Sequence, residues 1–278
     1  MRFLKVCGVI CSISFFVSCG HERPTSQLNS VESAFAYRIT TNDALALPGQ
    51  TFQLVAKVET ADPFRFDIDD AQVDFWLGDE YLGFGVTDDE GIAYVLATAP
   101  EDVGTHVFTA RYKRWVSEGR AFVETADTRF FVTDIDQTIS DLTEALVPVT
   151  PNQAIPAVPG AVRALGTLSQ TRGVIYLTAR DDYLVDKTRN WIAMRGFPEG
   201  PVFFNDWRFG GASQGDYKER VLRDLKESFP SIEAGAGENL HDAEAYIANG
   251  MRAYLIGKSL DGAISVSGWN DILASEQR

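Results

Sequence analysis

The run RFFVTDIDQTISD, residues 129–141, is a short apolar strand that ends in two carboxylates and a hydroxyl. Phe130, Phe131 and Val132 lead to Asp134, Asp136 and Thr138. In an extended backbone residues i and i+2 project to one side, so both carboxylates face a single site beyond the strand end. Like charges this close push one pKa up, whereas a bound divalent ion reverses the local field. The pair therefore suggests a hard metal, a nucleophile beside a general acid, or both; the plain alternative is a solvated acidic turn.

Downstream, apolar runs alternate with amphipathic segments, the pattern of a parallel sheet covered by helices. Strands are predicted at 129–133, 174–177, 202–204, 232–236 and 253–256, with helices at 159–170, 182–195, 216–228 and 242–249. In such sheets the functional crevice lies at the carboxyl ends of the strands. Three more polar groups fall there. Thr178 ends the second strand, where a hydroxyl beside backbone N–H groups suits a phosphate oxygen; alone it reads equally as a turn residue. Lys218 sits near a helix start, unfavourable for a cation unless an anion lies opposite. Glu238 and Asp242 flank a turn after the fourth strand, where Asp242 alone could be a helix cap.

Upstream, residues 34–126 hold seven short runs of alternating, aromatic-rich character, separated by turn signals such as Pro48-Gly49 and Asp88-Asp89-Glu90-Gly91. Strands this short and this closely spaced predict a β-sandwich. The acidic residues 67–70 and 88–90 match no calcium-loop spacing and read as solvated loops.

The amino terminus is separate from the fold. Arg2 and Lys5 precede an apolar stretch, Val6–Val17, too short to span a bilayer and shaped like a secretory signal. All three cysteines, Cys7, Cys11 and Cys19, fall in the first nineteen residues, so the remainder has no disulfide framework. Phe16-Val17-Ser18-Cys19 resembles a bacterial lipoprotein processing site. That resemblance implies a signal peptide over 1–18, an acylated Cys19 as lipid anchor, a tether over 19–33, and residence on the periplasmic face of the outer membrane, since Gly20 follows the cysteine. At 278 residues with 45% hydrophobic content the chain can build two cores, and a formal charge of -14 argues against a nucleic-acid partner.

Taken together, Asp134-Ile-Asp136-Gln-Thr138, a strand ending in Thr178, then Lys218, then Gly237-Glu238 through Asp242 resembles the four motifs of the haloacid dehalogenase superfamily. The details are similar to its lipin and Nir-type branch: Leu177-Thr-Ala-Arg180, Thr188-Arg189, Gly200-Pro-Val202, Tyr217-Lys218 and the Gly237–Tyr246 run. The stretch 87–112 also resembles bacterial immunoglobulin-like domains. These resemblances imply an immunoglobulin-like β-sandwich (34–126) followed by a capless α/β Rossmannoid, haloacid dehalogenase-like domain (127–278) with a mainly parallel sheet. They further imply a Mg2+-dependent phosphatase. Asp134 would be the nucleophile and Asp136 the general acid and base. Thr138, Thr178 and Lys218 would bind phosphate. Asp134, Asp136, Glu238 and Asp242 would hold magnesium, with Glu238 standing where the superfamily usually has aspartate. The intervals between motifs leave no room for a large cap, so an open site and a bulky or membrane-borne phosphomonoester, phosphatidate first, are expected. The alternatives are an exported phosphatase of broad specificity and a phosphatidate-binding module without turnover.

Overall fold

Eight strands between residues 37 and 123 form two sheets around one core. β1 (Tyr37–Thr41), β3 (Thr51–Thr60) and β6 (Ile92–Thr98) make an antiparallel sheet in the order β1-β3-β6. The second sheet runs β2-β8-β7-β4-β5, from β2 (Ala44–Ala46), β8 (Trp115–Val123), β7 (Gly104–Tyr112), β4 (Gln72–Leu77) and β5 (Glu80–Val86). Leu54, Ala56 and Val58 from one sheet meet Val73, Phe75, Phe108, Ala110 and Ala121 from the other in a common apolar cluster. The period-2 alternation seen in the sequence is the cause: every second residue points into this layer. The structure, a computed structural model, describes residues 36–205 and 214–278. The expected leader, tether and acylated Cys19 lie outside the described residues.

The α/β part is a six-stranded, all-parallel sheet in the order β11-β10-β9-β12-β13-β14. β9 (Phe130–Thr133) is central, β10 (Gly173–Leu177) and β11 (Val202–Phe203) lie to one side, and β12 (Ile232–Gly237), β13 (Arg252–Ile256) and β14 (Ile264–Val266) to the other. Phe131, Val174, Tyr176 and Ala236 pack on the face covered by α1 (Ala161–Leu168), α2 (Val185–Arg195) and α5 (Trp269–Glu276). Phe130, Val132, Ile175 and Leu255 face α3 (Gln214–Ser228) and α4 (Leu240–Ala248). Burial on both faces explains why these strands read as continuous apolar runs. The chain reverses direction of travel across the sheet at β9, so the crevice where strand order switches opens above its carboxyl end. Strands occur at all five positions predicted for this part. β14 and α5 go beyond that reading, and β2 is an eighth strand in the sandwich.

Residues Tyr37–Arg278 cluster as one unit. Asp43, whose side chain is fully buried, ties the two layers: it accepts from Arg120 of β8 at 3.2 and 2.6 Å, from Arg189 of α2 at 2.7 Å and from the Val202 backbone N–H at 2.9 Å. Val55 and Ile92 of the sandwich join the α/β core on the same side. Among the described residues no helix is long and apolar enough to cross a membrane.

Candidate active site

Asp134 immediately follows β9, anchored by its backbone N–H to the Ala236 carbonyl at 3.0 Å. Asp134 is 7% exposed, and its carboxylate is held at both oxygens. Lys218 Nζ donates to Oδ1 at 2.6 Å, and Thr138 Oγ1 donates to Oδ2 at 3.0 Å. The strand end positions one partner and the first turns of α3 supply the other, which accounts for a lysine buried at 98% near a helix start. Lys218 Nζ also donates to Asp242 Oδ1 at 2.6 Å. Burial alone would lower the Lys218 pKa, but the carboxylates of Asp134 and Asp242 outweigh it and raise the pKa, so the ammonium stays charged.

Asp242 occupies the third position of α4, where its Oδ2 accepts the Asn239 N–H in a capping box with Asn239 as the N-cap. It is therefore both a cap and a site residue. Burial pushes its pKa up to about 6 against the opposing pull of Lys218. Gly237 makes this approach possible, because a Cβ there would meet the Asp242 Cβ at 2.4 Å. Glu238 stands at the rim: its N–H donates to Thr138 Oγ1 at 3.0 Å and its carboxylate pairs with Lys258 at 2.5 Å.

Asp136 is clamped by Arg180, whose Nε and second terminal nitrogen each donate at 2.8 Å to a different carboxylate oxygen. Burial raises the Asp136 pKa, Arg180 pulls it back, and the neighbouring Asp134 charge raises it again. The guanidinium is itself 1% exposed and fixed by Thr188 Oγ1 at 2.9 Å. Between the two aspartates and Thr138 the chain turns sharply, with Gln137 at a φ of 58°. Thr138 is fully buried beneath the site, and Trp269 of α5 donates to its carbonyl at 2.7 Å. Thr178 is also fully buried, at the tip of β10, where its hydroxyl accepts the Arg180 N–H at 3.2 Å.

A pocket of about 330 Å³ opens here, lined by Asp134, Asp136, Lys218, Glu238 and Asp242 together with Glu144, Ala179 and Asn239. The fold thus brings five of the seven sequence-predicted residues of this site onto one cavity wall, with Thr138 and Thr178 immediately behind it. Two residues escape the sequence reading. Arg180 is quoted in the strand-tip motif but assigned no role there; a guanidinium directly after a strand tip is the signal. Glu144, whose pKa is raised by burial and by Asp136, sits in a 3-10 turn (Glu144–Val149) that no spacing announces.

Five carboxyl groups, Asp134, Asp136, Glu144, Glu238 and Asp242, thus face three cations, Arg180, Lys218 and Lys258. An oxygen-only donor set with excess negative charge suits a hard divalent ion. Among the described residues, however, no group of three acidic, histidine or cysteine side chains is already gathered to hold one. Lys218 and Lys258 stand as counter-ions to three of the carboxylates, Asp134, Asp242 and Glu238.

Comparison with protein families then bears on this half of the chain. Residues 131–257 match the LNS2 domain of PITM 1-3. The match spans just under half of the chain and contains Asp134, Thr178, Lys218 and Asp242. No curated protein matches. Similar solved structures include the D,D-heptose 1,7-bisphosphate phosphatase of B. bronchiseptica, complexed with magnesium and phosphate, at 15% identity over 54% of this chain and 98% of that one, TM-score 0.41. The cobalt-bound deoxy-D-mannose-octulosonate 8-phosphate phosphatase of Haemophilus influenzae is 16% identical over 54% and 87% of the two chains, TM-score 0.37. The M1 domain from titin is 20% identical over 32% of this chain and 95% of its own, TM-score 0.23.

Proposed function

We propose that the chain is a phosphomonoester phosphatase that works through an aspartyl-phosphate on Asp134, with phosphatidate as its leading substrate at a membrane. The observation that carries this reading is the division of labour between two neighbouring carboxylates. Asp134 is paired with Lys218 and oriented by Thr138, while Asp136, with its pKa raised by burial and moderated by Arg180, suits proton exchange.

In the first step an Asp134 oxygen forms a bond to phosphorus as the bond to the ester oxygen breaks, and Asp136 gives its proton to the departing oxygen. In the second, Asp136 takes a proton from water, which attacks phosphorus and releases phosphate and the Asp134 carboxylate. Lys218 supplies fixed positive charge where the transferring oxygens gather, which is the main electrostatic contribution of the protein itself. Magnesium would be held by Asp134, the Asp136 carbonyl and either Glu238 or Asp242, and would neutralise the surplus negative charge of the pocket. Thr178, whose hydroxyl accepts the Arg180 N–H, would hold a phosphoryl oxygen together with Thr138.

Openness supports a large substrate. Between Thr138 and Thr178 the described chain forms two 3-10 turns, α1 and β10, and between Thr178 and Lys218 a 3-10 turn, α2, β11 and the start of α3. No cap domain stands over the pocket among the described residues. We read residues 34–126 as an immunoglobulin-like module and Cys19 as the acylated anchor of an exported protein. A substrate panel tests the function: phosphatidate in mixed micelles against soluble monoesters, with and without magnesium, using Asp134→Asn as the blank. Magnesium-dependent preference for phosphatidate is expected; equal turnover of soluble monoesters would remove the lipid assignment, and binding without turnover would remove the phosphatase.

A further inference from the structure

We propose that the loop joining β3 to β4 is a wedge that inserts into a zwitterionic lipid surface and seats the mouth of the active-site pocket on it; this deepens, and rests on, the lipid-substrate reading above. At its tip Phe64 and Phe66 are 81% and 63% exposed, with their rings stacked 6.1 Å apart. Among the described residues these two large aromatic side chains stack only on each other, and aromatic rings are favoured at membrane interfaces.

The residue between them explains why the tip is fixed rather than collapsed. Arg65, at a φ of 49°, turns inward beneath the rings. Its guanidinium lies 4.3 Å from the centre of the Tyr183 ring and donates to Asp181 Oδ1 at 2.9 Å. Asp181 and Tyr183 directly follow Arg180, the clamp on Asp136. The wedge is thus bolted to the segment that shapes the site. The 3-10 turn beginning at the pocket residue Glu144 exposes Leu146 at 50% and Val149 at 77%. Tyr183 lies near enough to feel both Arg65 and Glu144. Exposed apolar groups therefore lie both on the wedge and on the turn that carries the pocket residue Glu144.

Two further observations select the occupant. β1 enters the fold with Tyr37 paired to Thr60, the last residue of β3, so the chain that follows the acylation-like motif joins the sandwich at the base of this loop. An anchored chain would hold this end toward the bilayer. Charge selects the lipid: Asp62 is exposed beside the rings and accepts the Phe64 N–H at 2.7 Å, while the only cation of the tip, Arg65, is turned away. An anionic surface or an acidic partner would be repelled.

The test uses the full chain with phosphatidylcholine vesicles whose acyl chains carry bromine, and with phosphatidate dispersed in phosphatidylcholine micelles. Phe64→Trp places an indole at the tip, and Tyr81→Trp places one at the opposite end of β4 as a control. Bromine quenching above the wild-type level for Phe64→Trp but not for Tyr81→Trp is expected. Phe64→Ser with Phe66→Ser should raise the micellar KM roughly tenfold and leave turnover of soluble p-nitrophenyl phosphate unchanged. Equal quenching at both positions, or an unchanged micellar KM, overturns the wedge. Quenching without phosphatidate turnover would sustain the wedge and remove the substrate; phosphatidate turnover without quenching would do the reverse.

Discussion

Replacing Asp43 by alanine removes one side chain at which two layers of the molecule are joined, and the structure allows the cost to be worked out. The carboxylate accepts four hydrogen bonds from three donors and has no exposed surface. Its loss orphans the buried Val202 N–H, at about 1–3 kcal/mol. It also strips the counter-charge from two guanidiniums, where breaking a buried pair costs roughly 3–5 kcal/mol. That second figure belongs at its lower end. Arg189 keeps the Thr41 carbonyl at 2.8 Å and the Glu118 carbonyl at 3.1 Å, and Arg120 is 25% exposed and can be hydrated. A total of about 4–6 kcal/mol follows, against a usual domain stability of roughly 5–15 kcal/mol. Urea unfolding followed by far-UV and near-UV signals would measure it, the coincidence of the two reporting whether unfolding stays two-state. The effect should reach the site, because Arg189 adjoins Thr188, which fixes Arg180 on Asp136. A loss below about 1 kcal/mol, or an Asp43→Ala/Arg189→Ala cycle showing no coupling, would refute the reasoning.

Two other outcomes follow from particular contacts. Gly237→Ala should cost about 1–3 kcal/mol and at least tenfold in kcat, since the new methyl must push Asp242 off Lys218; unaltered kinetics would show that Asp242 is not needed there. Asp182 is 1% exposed, and its pKa is pushed up to about 8 by burial first and by Asp181 next, with Lys57 opposing. Because the folded pKa lies above the unfolded value near 3.8, its contribution to stability is complete below that value and is lost as pH rises through about 8. Asp182→Asn should flatten the decline in stability between those limits by a few kcal/mol, and an unchanged pH profile would exclude Asp182 as its source.

How far the sequence foretold this structure depends on what kind of signal each element leaves. The parallel strands were legible because burial on both faces writes continuous apolar runs, as in Phe130–Val132 and Val174–Leu177. The sandwich strands were legible because one-sided burial writes alternation. β2 was not, since three residues between Asn42-Asp43 and Pro48-Gly49 show no period. β14 is likewise three residues long and largely exposed, and α5 carries only two buried side chains, Trp269 and Ile272. At the site, residues at strand ends could be placed together because the fold class dictates where strand ends meet. The roles of Arg180 and Glu144 could not, because a clamp on Asp136 and a carboxyl on the pocket wall depend on side-chain direction. The bond between Asp43, Arg120 and Arg189 spans 146 residues of sequence and leaves no local trace at all.

The central claim is that Asp134 takes the phosphoryl group. Protein quenched in acid during turnover of phosphatidate and then reduced with borohydride should show, by peptide mass spectrometry, conversion of Asp134 to homoserine through its acyl-phosphate. Turnover with Asp134 unmodified, or undiminished turnover by Asp134→Asn, would contradict the account.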